Sequence, residues 1–85
     1  MKVRVKLRLL SIMDDLELNF EEGETIRDLL KKLEPAYGED LKKVVGNRTD
    51  QGFKAMAILN LELVKPSQRL KDGDELYLTL PVAGG

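Results

Sequence analysis

Glu75-Leu76-Tyr77-Leu78-Thr79-Leu80-Pro81-Val82-Ala83-Gly84-Gly85 is the stretch on which the architecture turns. Its first half places Leu76, Leu78 and Leu80 on one side and Glu75, Tyr77 and Thr79 on the other, the period-two pattern of a strand with one buried face. Pro81 stops that strand. Proline has no N–H for a sheet ladder and fixes its own φ, so the chain is expected to leave the sheet there in an extended, partly stiffened direction. Gly84 and Gly85 carry no Cβ, which lets their backbone thread a channel too narrow for any other residue. The expectation is a folded body over residues 1–80 and a thin, mobile, carboxylate-tipped tail over 81–85. Chain ends of small residues are often only frayed. A frayed end seldom follows directly on a proline-closed strand with no polar residue between, and that favours a functional tail.

Working outward, Lys71-Asp72-Gly73-Asp74 reads as a tight turn feeding the last strand, with Gly73 supplying the positive φ such turns need. Residues 66–70 read as a crossing loop and residues 61–64 as a short strand after a turn at Asn60. Phe53 to Leu59 is expected to be a strand, and Gly46 to Gly52 a long polar loop with no evident purpose. At the other end of the chain, Val3, Val5, Leu7 and Leu9 alternate with Lys2, Arg4, Lys6 and Arg8. That predicts a half-buried first strand. Turn-favouring residues over 11–15 separate it from a second strand carrying Leu16, Leu18 and Phe20, giving an antiparallel hairpin. Thr25 is a good helix N-cap, and Asp28 can complete a capping box. Ile26, Leu29, Leu30 and Leu33 mark one helical face, and Pro35 is expected to end the helix. Residues 39–45 suggest a further turn or two of helix. Strand, strand, helix, strand, short strand, strand implies an α+β fold, a mixed sheet with one main helix across one face. The last strand then lies centrally beside the first.

Composition narrows the function. Eighty-five residues make one domain, and 15 acidic against 14 basic side chains leave a net charge of −1, which provides no general attraction to nucleic acid or an anionic membrane. No apolar run approaches a bilayer span and the N-terminus lacks a signal-peptide pattern, so a cytoplasmic location is expected. With no Cys and no His, thiol chemistry, thiolate metal sites and the usual neutral-pH base are all missing. The chain is therefore expected to be no enzyme on its own and to bind no metal or cofactor.

Other candidate sites read blandly. The Lys2, Arg4, Lys6, Arg8 row fits a cationic docking stripe for an acidic partner or a phosphate backbone, but more often such a row is a solvated sheet face balanced here by Glu17 and Glu75, and no interleaved aromatics favour RNA. Asp72-Gly73-Asp74-Glu75 lacks the ligand alternation of a calcium loop. Gly46 to Gly52 lacks the Gly-Lys-Ser/Thr ending of a phosphate cradle. A terminal carboxylate is unreactive at neutral pH until another protein activates it, most simply as an acyl-adenylate made from ATP. A sulfur donor attacking that adenylate would yield a thiocarboxylate; a lysine would yield an amide.

Ala57-Ile58-Leu59-Asn60, Leu70-Lys71-Asp72-Gly73-Asp74-Glu75 and Pro81-Val82-Ala83-Gly84-Gly85 together resemble the small, sulfur-carrying subunit of molybdopterin synthase and, more broadly, the ubiquitin-like β-grasp sulfur carriers. The last third of the chain matches in spacing and residue type, the rest in element order. The resemblance implies that Gly85 is adenylated by a partner resembling ubiquitin-activating enzymes, at the expense of ATP bound by that partner, and converted to a thiocarboxylate. The tail would then insert into a large synthase subunit, with Gly84 as its slender neck and Pro81, Val82 and Ala83 as base and stem. Where the family often has aromatics and prolines, this chain has Leu78-Thr79-Leu80-Pro81, so Thr79 departs from the family's apolar contact. Leu10 and Leu63 occupy places resembling its partner-facing patch, and equally read as ordinary core or scattered surface leucines. The archaeal ubiquitin-like modifiers, which become attached to lysines of target proteins, resemble the chain too. The thiamine-pathway carriers share the ending but tend to be shorter, without residues 39–52, and a β-grasp binding domain with an idle terminus is a third possibility.

Overall fold

The computed structural model describes residues 1–10, 12–46 and 50–80. Strand β1 (Lys2–Leu9) and strand β2 (Ile12–Asn19) form the hairpin, followed by helix α1 (Ile26–Tyr37) and helix α2 (Glu39–Val45). Strands β3 (Met56–Leu59), β4 (Glu62–Val64) and β5 (Glu75–Thr79) complete one sheet in the order β2-β1-β5-β3-β4. β5 runs parallel to β1 and antiparallel to β3, so the last strand is central, as the order of elements implies. This is the ubiquitin-like β-grasp architecture, α+β with a mixed sheet.

One face of the sheet and one stripe of α1 make the core. Val3, Val5, Leu7 and Leu9 of β1 and Leu76 and Leu78 of β5 meet Ile26, Leu29, Leu30 and Leu33, all buried. Burying each such side chain is worth about 1.5–3 kcal/mol, which far exceeds what helical propensity alone supplies to a helix this short. Leu41 and Val45 of α2 close one end of the same cluster. α1 starts as read. Thr25 Oγ accepts from the Asp28 N–H, and the Asp28 carboxylate accepts from the Thr25 N–H at 2.9 Å.

Several boundaries differ from the sequence reading. The turn expected over 11–15 is shorter: Leu9 pairs with Ile12, and Leu10 has a φ of +27°, in keeping with a two-residue hairpin connection. Asp14 and Asp15 therefore lie inside β2, where they have been given strand-compatible work. Asp14 accepts from the Asp15 N–H and the Tyr37 hydroxyl, and Asp15 accepts from Arg8. Pro35 does not end α1. It lies inside the helix on its exposed side, and the helix stops instead at Gly38, whose φ of +62° L-residues avoid. β3 begins at Met56 because Phe53 is engaged elsewhere, bridging to Gly46 while the Lys54 N–H donates to the Val45 carbonyl. β4 begins at Glu62, since Leu61 stands in the turn with a φ of +72°.

Candidate functional site

The candidate site is β5 and the sheet face away from α1. β5 is held at its start by a lock built from the turn before it. Asp74, only 7% exposed, accepts from the Lys71 N–H at 2.7 Å and from the Asn60 side-chain amide at 2.8 Å. Asn60 in turn accepts the Glu75 N–H on its side-chain oxygen at 2.9 Å, and its own N–H donates to the Glu75 carbonyl. Arg4 N–H donates to the Asp74 carbonyl, Gly73 N–H to the Lys2 carbonyl, and Lys2 N–H to Asp72 Oδ1. The acidic turn is thus consumed in fixing the strand, which accounts for its composition without a cation. Among the described residues there is no group of acidic side chains arranged to hold a metal ion.

With its start locked and its flanks bonded to β1 and β3, β5 delivers the chain to residue 80 in a fixed direction, Leu80 packing against the core. The expectations placed on Pro81, Val82, Ala83, Gly84 and Gly85 lie outside the described residues.

On the outer face the register brings Met13, Arg8, Thr79 and Met56 into one row, and Asp15, Lys6, Tyr77, Ile58 and Leu63 into the next. Thr79 is half-buried in its row. Leu63 is 67% exposed on the edge strand, and Leu10 is 73% exposed at the hairpin tip. Neither leucine belongs to the core. They are not neighbours either, since three strand spacings and four residue rises separate them, roughly 20 Å. What connects their surroundings is a set of residues not singled out from the sequence: Met13, Met56, Ile58, Tyr77 and Leu61, the last 96% exposed. Alternation had already put Tyr77 outward; its company depended on register.

The cationic row is balanced much as expected. Lys2 pairs with Glu17 at 3.4 Å, Arg4 with Glu75 at 3.8 Å and Arg8 with Asp15 at 2.9 Å, exposed pairs worth at most about 1 kcal/mol each. Arg8 also donates to the carbonyls of Leu7 and Asp14, which fixes it beside Thr79. Away from this face, the Thr25 N–H holds the Asp28 carboxyl below its ordinary value, while burial, helped by the bond to Asp14, pushes the Tyr37 phenol up. No described helix is long and apolar enough to cross a membrane.

The family model described as the ThiS family matches residues 4–85. No curated protein matches the chain. Among solved structures, the chain is 29% identical to a Pyrococcus furiosus protein assigned as molybdopterin converting factor subunit 1, with a TM-score of 0.72 over 95% of this chain and 98% of that one. It is 25% identical to SAMP1 from Haloferax volcanii, TM-score 0.77, with 100% of each chain covered. It is 26% identical to a chain in the complex of subunits 1 and 2 of the molybdopterin-converting factor from Helicobacter pylori, TM-score 0.66, again with 100% of each covered.

Proposed function

The chain belongs to the ThiS family of ubiquitin-like sulfur carriers, and from that premise we propose that it carries sulfur on Gly85 for the assembly of molybdopterin, the organic part of the molybdenum or tungsten cofactor. The observation that carries this reading is β5 itself, central in the sheet, bonded on both flanks and locked at its start, which brings the chain to residue 80 on a fixed course. A partner adenylyltransferase would join the Gly85 carboxylate to the α-phosphate of ATP with loss of pyrophosphate. A sulfur donor would then expel AMP and leave the thiocarboxylate. The chain itself supplies no catalytic group, only a substrate narrow enough, at Gly84 and Gly85, to reach two different active sites. The likeness to both subunit 1 proteins supports a large synthase subunit as the second partner. Pro81, Val82 and Ala83 would line the path into it, with Thr79, Leu10 and Leu63 at its margin.

Intact mass spectrometry after incubation with ATP, a sulfur source and the organism's own activating enzyme tests the proposal. The expected product is heavier by the difference between sulfur and oxygen, and it disappears when Gly85 is deleted. An unchanged mass, or sulfur transfer by the deleted form, would overturn it.

The likeness to SAMP1 favours a second reading, attachment of Gly85 to lysines of target proteins. Conjugates that survive reducing agents, seen as a ladder on blots of whole cells, would favour that role.

A further inference from the structure

Asp72 is the one aspartate of the chain that glycine follows, and no asparagine precedes glycine. In an Asp-Gly pair the glycine nitrogen, with no Cβ beside it, can reach the aspartate side chain and close a cyclic imide. Lys71 to Asp74 form a turn closed by the Asp74 N–H on the Lys71 carbonyl. With Gly73 at a φ of +85° and Asp72 outside the positive-φ region, the turn is of type II. Both residues are exposed, and among the described residues no atom lies within 4 Å of the place where a Gly73 Cβ would stand. Water and space for the reaction are therefore present. What restrains the pair is the main chain of Lys2. Its N–H donates to Asp72 Oδ1 at 2.8 Å and its carbonyl accepts the Gly73 N–H at 2.9 Å, so one residue holds both the group to be attacked and the attacking nitrogen. Lys2 can do this because the Phe20 N–H of the hairpin goes to the Met1 carbonyl, which leaves the Lys2 backbone groups turned toward the 71–74 turn.

We propose that Asp72-Gly73 is a self-modification site, able to convert to an isoaspartyl-glycine linkage, and that the Lys2 main chain is the guard that keeps it closed. The inference is independent of the sulfur-carrier reading. In the reaction the Gly73 nitrogen bonds to Asp72 Cγ, and the hydroxyl of the protonated carboxyl leaves with the amide proton as water. Water then adds back to the imide. Opening on the Cγ side restores aspartate, whereas opening at the main-chain carbonyl leaves the chain running through the side-chain carboxyl. No atom is gained or lost overall, and no other reagent is needed. The observed geometry opposes the first step. In a type II turn the residue ahead of the glycine has a ψ of about +120°, whereas the imide ring requires a negative ψ, so the Asp72–Gly73 peptide must turn over before the ring can close. That movement takes the Gly73 N–H off the Lys2 carbonyl, and the swing of the carboxyl toward the nitrogen takes Oδ1 off the Lys2 N–H. Both bonds are lost in every productive local opening. A chain that has reacted carries an extra backbone carbon between Asp72 and Gly73, which displaces the lock of Asp74 on Asn60 and Lys71, so the modified form has a loosened start to β5.

The experiment incubates the purified full-length chain, folded at mildly acidic pH and unfolded in urea at the same pH and temperature, and follows isoaspartate at residue 72. Cleavage after Arg69 releases the segment from Leu70 onward. Its isomers separate by chromatography, and an isoaspartyl methyltransferase with labelled S-adenosylmethionine counts the product. The folded chain is expected to react roughly tenfold or more slowly than the unfolded one, because reaction waits on local opening. Lys2→Pro removes the N–H at the first position of β1, where a strand tolerates proline. It is expected to speed the folded reaction roughly five- to tenfold, the worth of one exposed hydrogen bond to a charged group. Lys2→Ala keeps the N–H and is expected to match wild type. If Lys2→Pro does not fold, the urea dependence of the wild-type reaction decides in its place, since it must run parallel to deuterium exchange at the Gly73 amide. Equal rates in the folded and unfolded chain, a Lys2→Pro rate no higher than that of Lys2→Ala, or a signal that survives Asp72→Glu would each overturn the inference.

Discussion

Replacing Asp74 by alanine tests whether the locked start of β5 governs the stability of the domain. The carboxylate is 7% exposed and accepts two hydrogen bonds, from the Lys71 N–H and the Asn60 side chain. Bonds to a charged group contribute about 1.5–3 kcal/mol each, and truncation leaves two part-buried donors, the Lys71 N–H and the Asn60 amide, without their acceptor. A total loss of about 3 kcal/mol follows, which for a domain this small is roughly 12–24 °C in Tm. Asp72→Ala is the control, because it removes one exposed acceptor from the same turn and is expected to shift Tm only slightly. Thermal unfolding followed by circular dichroism measures both. The Asp74→Ala and Asn60→Ala effects should also fall short of additivity, since the two residues share one bond. Equal, small shifts for Asp72→Ala and Asp74→Ala would refute the reasoning: the turn would then be a passive connection, with the direction of β5 set by its neighbours alone.

The capping box makes a pH-dependent contribution. Asp28 is held below its ordinary value in the fold, so its stabilisation is present above the unfolded value, about 3.9, and is lost as pH falls through the lower folded one. Urea denaturation should therefore separate Asp28→Asn from wild type near neutrality and bring the two together in strong acid, while Thr25→Ala costs about 1 kcal/mol through loss of the cap. Leu10→Glu, at a position 73% exposed, should change stability by less than about 0.5 kcal/mol while weakening association with a large subunit; a collapse of Tm would mean that Leu10 is buried.

What the sequence conveyed and what it withheld divide along the distance between the residues concerned. The alternation of Val3 to Leu9, the Thr25 and Asp28 pair and the turn at Gly73 are each decided within a few residues, and each stands in the structure as read. Asp14 and Asp15 look like turn residues in the sequence because nothing local shows that Tyr37, on the helix, and Arg8, across the hairpin, are there to occupy them. Pro35 signals a stop locally, while the stop is made three residues later by Gly38, whose positive φ the sequence does not show. The outer face follows the same logic at a larger scale. Alternation says that Tyr77 points away from the core, but only the register of β5 on β3 and of β3 on β4 sets Ile58 and Leu63 beside it. Lys6 makes the point most sharply. Its sequence neighbours and its alternation are those of Arg4 and Arg8, and only the pairing of strands sets it between Asp15 on one side and Tyr77 on the other. A local pattern can therefore identify a strand and its buried face, while the company a side chain keeps on the opposite face is written in register.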